Sequence, residues 1–159
     1  MNLATIPVVK SLRDSETRKE IRERLERVDP RTPRQWGRMT AHQMICHLAD
    51  SFRGVMGEKA LSPAATPLPP RIMKFIALDL PVKWPHGLKT RPEIDQEAGG
   101  TPPLEFPDDV ATVKALLDRF VSDPRAIVGT HPFFGPMSEA DWMRWGYLHM
   151  DHHLRQFGR

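Results

Sequence analysis

Two histidines near the end of the sequence, His149 and His153, are spaced to do chemistry together. On a helix, side chains four apart stack on one face. At about 100° per residue, Trp142 and Gly146 share their arc, and Trp145, Met150 and Phe157 flank it. The pair therefore faces the apolar side of its helix. Two imidazoles there cannot both be charged cheaply, and each has a ring nitrogen lone pair that needs a donor or a metal. A shared divalent ion satisfies both, and neutral imidazole is a common ligand. Two separately hydrogen-bonded core histidines would satisfy them as well, and the spacing alone is a weak motif.

An open, catalytic-type site needs a third protein ligand. His42 and His47 are the candidates, and periodicity does not separate them, since each lies about 100–120° from the stripe of Met44, Leu48 and Phe52. His152 falls off the central arc and reads as a supporting or surface group. His131, before Pro132 in a loop, can line a pocket or hold its loop. Trp142 and Trp145 read as core, with Trp145 a candidate pocket wall. Cys46, next to His47, points about 100° away from it and reads as a small packed hydrophobe. Lys83, Trp84, His86 and Lys89 can meet an anionic group or stand exposed. No carboxylate base stands beside the histidines: Asp50 is at best a neighbour, and Asp151 faces away from the pair.

Helices must position these groups. Leu12, Ile21, Leu25 and Val28 predict a first helix over residues 14–28, with Ser11, Asp14 or Thr17 (paired with Glu20) as alternative caps. Thr40 and Gln43 form a capping box for a second helix ending before Gly57. Residues 71–80 can form a short helix. The proline-rich stretch 81–107 is too long for an idle loop in a compact domain and is expected to be functional or to cover something. A further helix should start at Asp108 or Asp109 and end at Asp123-Pro124. The last begins at Ser138, with Asp141 as capping partner, and runs to Phe157. Ile6, Val8 and Val9 are strand formers, but Pro7 interrupts them. The expected fold is all-α: one domain over residues 1–159, a four-helix bundle with a long crossover connection containing a short extra helix.

Composition narrows the function classes. The 159 residues suit one ordinary domain, and 40% hydrophobic residues argue against global disorder. No run approaches the ~20 apolar residues of a membrane span. Residues 1–10 lack a basic leader, and Asp14 and Glu16 follow, so no targeting peptide is expected. A single cysteine fits the cytoplasm. The net charge of +3 is mild, and the arginines of residues 13–38 are interleaved with Glu16, Glu20, Glu23 and Glu26. Glu20–Arg24 and Glu23–Arg27 are set for ion pairs on a solvated face rather than for nucleic acid. No P-loop, dinucleotide fingerprint or nucleophile elbow occurs.

The segment His47-Leu48-Ala49-Asp50-Ser51, followed by His149-x-x-x-His153-x-Arg155-Gln156, resembles the DinB/YfiT-like family, with Arg155-Gln156 standing where that family has Arg-Gly-Gln. His131-Pro132-Phe133-Phe134-Gly135 and the ending from Asp151 to Gly158 resemble an uncharacterised DinB-like subgroup. The resemblance spans roughly residue 36 to the C-terminus. It implies a four-helix bundle holding a divalent transition metal, zinc or nickel, through His47, His149 and His153, with His131, His152, Trp145 and Ser51 as pocket or supporting residues. It further implies a metal-dependent enzyme acting on a small molecule by thiol transfer or hydrolysis, or else a metal- or ligand-binding module without turnover. A homodimer is left open.

Overall fold

The structure, a computed structural model, describes residues 9–159. The expectations for Ile6, Pro7, Val8 and the leader region lie outside the described residues. Among the described residues the fold is all-helical. No strand forms, and the one β-type contact is an isolated bridge between His131 and Gly135. Among the described residues no helix is long and apolar enough to cross a membrane.

Three of the four longest helices start where a capping side chain supplies a partner for the free N–H groups of a first turn. Helix α1, Ser15–Glu26, is capped by Asp14, whose carboxylate accepts from the Thr17 N–H (3.0 Å) and hydroxyl (2.7 Å). That decides between the three candidate caps. Helix α2, Ala41–Val55, carries the full Thr40–Gln43 capping box. Helix α3, Pro70–Lys74, opens on a proline and continues as a π-helical turn, Phe75–Asp79. Helix α4, Phe106–Ser122, starts two residues before the expected Asp108. The reason is Pro107, whose fixed φ suits a first turn where its missing N–H costs nothing. Helix α5, Glu139–Gln156, has the Ser138–Asp141 capping box and ends one residue short of expectation.

Packing follows the apolar stripes. Helix α2 lies against α4, and α1 against α5. Phe52, Phe120 and Trp145 tie α2, α4 and α5 together, with ring centroids 5.1–6.3 Å apart. Phe52 and Phe120 are fully buried, and truncating either to alanine should cost roughly 3–5 kcal/mol. Gly146 sits mid-helix, where glycine is unfavourable by about 1 kcal/mol. A Cβ there would stand 2.6 Å from Leu12 and 3.0 Å from Phe120, so the close approach of these elements requires it.

The first helix departs from the expected solvated face at one point. Arg24 is buried and pairs with Asp151 of α5 at 2.8 Å, while Glu20 stands further off at 3.4 Å. Glu23 and Arg27 form no pair among the described residues. Asp151, facing away from the histidine pair, is shared between Arg24 and Arg155 of its own helix, each at 2.8 Å, and Arg24 also donates to the Arg159 carbonyl at 2.9 Å.

Candidate metal centre

Helix α2 supplies His47, and α5 supplies His149 and His153 one turn apart. The three rings meet with centroids 5.2, 4.6 and 4.8 Å apart. One nitrogen from each lies within 4.8 Å of the others, and Nε2 of His47 stands 3.3 Å from Nε2 of His149. His47 and His153 are buried, and His149 keeps some surface along a cavity wall.

The far side of two rings is fixed by oxygen acceptors. Nδ1–H of His47 donates to the carbonyl of Ile94 at 2.8 Å. Nδ1–H of His153 donates to Oε1 of Gln156 at 2.9 Å. An oxygen acceptor at Nδ1 leaves Nε2 as the lone-pair nitrogen, the arrangement of metal-ligating histidines. Burial pushes all three imidazoles below the usual histidine range, and the neighbouring histidines push His149 and His153 further, so they are neutral at physiological pH. Two ligands of a tetrahedral ion, each ~2.0–2.1 Å from it, stand about 3.3–3.4 Å apart. The His47–His149 separation matches that spacing. Three neutral imidazoles suit zinc, nickel, cobalt or copper better than magnesium or calcium.

His42, the other candidate third ligand, faces elsewhere. Its Nε2 lies 2.7 Å from Oδ2 of Asp109, which also accepts from the Cys46 thiol (3.6 Å) and the Leu104 N–H (3.1 Å). Burial, then the Asp109 charge, pushes the Cys46 thiol up to about 12, so it is an inert packed group.

A cavity of about 300 Å³ opens beside the triad. His131, His152, Trp145 and Ser51 all line it. Trp145 stacks on His149 at 5.0 Å and 12°. Nδ1 of His131 accepts from the N–H groups of Phe133 (3.2 Å) and Phe134 (3.3 Å), which leaves Nε2 carrying its proton. Burial drives this ring down to about 3. His152 is buried rather than on the surface, its Nδ1 has no partner, and burial followed by the Arg155 charge takes it to about 4. Ser51 lines the cavity with its hydroxyl donated to the carbonyl of His47 one turn back (2.8 Å).

The 81–107 connection does cover the site. Trp84, held by a bond from Nε1 to the Ala77 carbonyl (2.9 Å), lies 5.9 Å from His152 and 6.4 Å from His149. His86 stacks on Trp36 at 3.8 Å, and Trp36 meets the edge of His152. Fully buried Asp50 fastens the far half of the connection: it accepts from the Thr101 N–H and hydroxyl (both 2.7 Å), Gln96 (3.2 Å) and Lys59 (3.3 Å). Burial alone would raise this carboxyl, but the Thr101 and Lys59 bonds outweigh it and hold it below the usual range. From spacing alone Asp50 is at best a neighbour of the histidines, not a base beside them. Its geometry makes it an anchor. The roles of Ile94, Trp36 and Asp109 had no signal in spacing, because each acts through a loop contact far off in sequence.

A family model matches residues 16–159, that of DUF1569, described as a protein of unknown function. No curated protein and no solved structure matches the chain. With nearly the whole chain covered, including all three converging histidines, the protein belongs to the DUF1569 family.

Proposed function

We propose that this chain is a DinB/YfiT-like four-helix bundle that holds a divalent transition metal, zinc or nickel, through His47, His149 and His153, and acts on a small molecule by thiol transfer or hydrolysis. One observation carries the reading. Three neutral imidazoles converge, two buried and the third on the cavity wall, and in the two buried ones an oxygen acceptor on Nδ1 directs Nε2 to the common centre. The motif likeness of His47-Leu48-Ala49-Asp50 and His149-x-x-x-His153 supports the same reading.

A divalent ion held by three protein ligands keeps an open position and lowers the pKa of a bound water or thiol. The chain's own groups do the rest. Trp145 fixes the plane of His149, Ile94 and Gln156 fix the other two rings, and the apolar cavity wall strengthens charge interactions beside it. The Nε2–H of His131 offers a hydrogen-bond donor that stays protonated across the physiological range.

A second reading, a metal- or ligand-binding module without turnover, is favoured by one specific feature: among the described residues no aspartate or glutamate lines the cavity to act as a carboxylate base.

Metal analysis of protein purified without a histidine tag tests the first part. About one equivalent of zinc or nickel is expected, and His153→Ala should abolish it while melting within a few degrees of metal-free wild type. A domain of this size folds without a metal. A variant that fails to fold, when metal-free wild type folds, would make His153 a packing residue. A turnover screen of esters and thiols, with and without metal, separates enzyme from module.

A further inference from the structure

The cavity beside the triad has a charge pattern that says what it takes. Its walls are apolar, formed by Met73 and Ile76 from the α3 segment, Trp84 from the connection and Phe133 from the loop before α5. Three cations line it, Lys83, Lys89 and Arg91, against no carboxylate. Lys83 and Lys89 are exposed at its rim. Arg91 is partly buried. A terminal nitrogen donates to Ser62 Oγ at 2.6 Å, and its Nε is buried with no acceptor. None of the three forms an ion pair among the described residues. Glu93, two residues on from Arg91, does not line the cavity; one of its oxygens accepts from the Ser62 N–H, the other is buried without a partner, and the Ser62 bond followed more weakly by the Arg91 charge holds its carboxyl below the usual range.

Arg91 brings a partly buried charge to this wall with no ion pair among the described residues, so an acceptor on a ligand can meet the part of the guanidinium that lines the cavity. Apolar walls favour a hydrocarbon or aromatic body. At the ~30 Å³ a water-sized group occupies, the cavity has room for about ten such groups.

Resting on the metal-site reading above only for what happens at the triad, we propose that the cavity binds an amphipathic organic anion: an apolar body of about eight to ten carbons, with a carboxylate, phosphate or sulfonate end recognised by Arg91 and drawn in by Lys83 and Lys89. The body lies along the Trp84 and Phe133 walls, and Arg91 is the group that selects an anion over a neutral analogue of the same length. The exposed lysines raise the local concentration of anions and respond to salt, while Arg91 supplies a charge-assisted bond.

The test displaces a fluorescent apolar probe, anilinonaphthalene sulfonate, with decanoate, decyl phosphate, decyl sulfonate, decanol and decylamine. It uses zinc-loaded protein and chelator-treated protein, with metal content measured in every sample. The anions should displace the probe at about tenfold lower concentration than decanol, and decylamine should be weakest. Arg91→Met should remove that preference in both metal states and leave decanol unchanged. Arg91→Lys should keep part of it. The double variant Lys83→Met with Lys89→Met, which leaves the Ser62 contact intact, should weaken the anions two- to threefold and flatten their salt dependence. Equal binding of decanoate and decanol to wild type overturns the proposal. So does an anion preference that survives Arg91→Met but vanishes on chelation, because the anion would then be recognised at the triad. Protein that binds no metal yet shows the Arg91-dependent preference would sink the metal reading and leave this one standing.

Discussion

His153 and Gln156 are bound to each other within one turn of α5, Nδ1–H to Oε1 at 2.9 Å, and the amide nitrogen of Gln156 goes on to the carbonyl of Trp36 at 3.0 Å. One side chain thus aims a ring and ties down the segment before α2. Gln156→Leu removes the acceptor and keeps the bulk. Removing such a supporting bond typically lowers metal affinity by about 10–100-fold. Competition against a chromophoric chelator should show a loss of that size, with helix content unchanged by circular dichroism. Affinity equal to wild type would mean that His153 is oriented by packing alone.

Asp50→Asn should loosen the connection. The substitution removes the charge from a fully buried hub and places an amide NH₂ where one oxygen accepted. A loss of about 2–4 kcal/mol is expected from breaking a buried charged hydrogen-bond set. Denaturant titration measures the loss. Faster amide exchange at Thr101, with α1 unaffected, would locate it. The folded pKa of Asp50 lies below its unfolded value. Its contribution is therefore present above the unfolded pKa and is lost as pH falls through the folded one, so the gap between wild type and variant should shrink in strong acid.

Acid should also act through His131. Its folded pKa is depressed by burial to about 3, from an ordinary value near 6.5. Between those values the unfolded chain binds a proton that the folded chain does not, so stability falls as pH falls, by up to about 1.4 kcal/mol per pH unit for this group. His131→Asn keeps an acceptor near the Phe133 and Phe134 N–H groups and cannot titrate. The variant should be less stable near neutrality, having lost the stack on Phe134. It should also lose less on acidification from about pH 6.5 to about pH 4. Parallel stability curves for the two proteins would refute the depressed pKa.

The arginines of the first third should not make a nucleic-acid surface. Arg13 pairs with Glu139, Arg22 with Asp118, Arg24 with Asp151, and Arg38 with both Asp95 and Glu97. A labelled duplex titrated at two salt concentrations should show no micromolar binding. Affinity falling steeply with salt would reverse this expectation.

The sequence and the structure agree where a signal is local. The Thr40–Gln43 and Ser138–Asp141 boxes cap the helices they were expected to cap, and the stripe Leu12, Ile21, Leu25, Val28 is buried. Periodicity alone could not choose between His42 and His47, because both sit at the edge of the α2 stripe. What separates them is the neighbour each meets, Asp109 for one and the α5 pair for the other. The positions of Asp50, Ile94 and Trp36 depend on how the connection drapes over the helices, and no spacing rule reports that.

For protein engineering, the 81–107 connection behaves as two segments with opposite tolerance. Around Gly87 the chain is exposed, and a Cβ would meet nothing within 4 Å. Insertions are accepted at such loop tips, so a short graft there should keep the His47, His149 and His153 cluster, while its neighbours His86, stacked on Trp36, and Lys89, on the cavity wall, limit its size. Between Ile94 and Thr101 the chain carries the carbonyl that orients His47 and the amide that binds Asp50. Gly100 adds a third restriction, since a side chain there would stand 2.7 Å from the Asp95 carbonyl. That short irregular stretch should resist length changes as firmly as a core helix does, and loop exchange among relatives should succeed only when its two fastening points keep their separation along the chain.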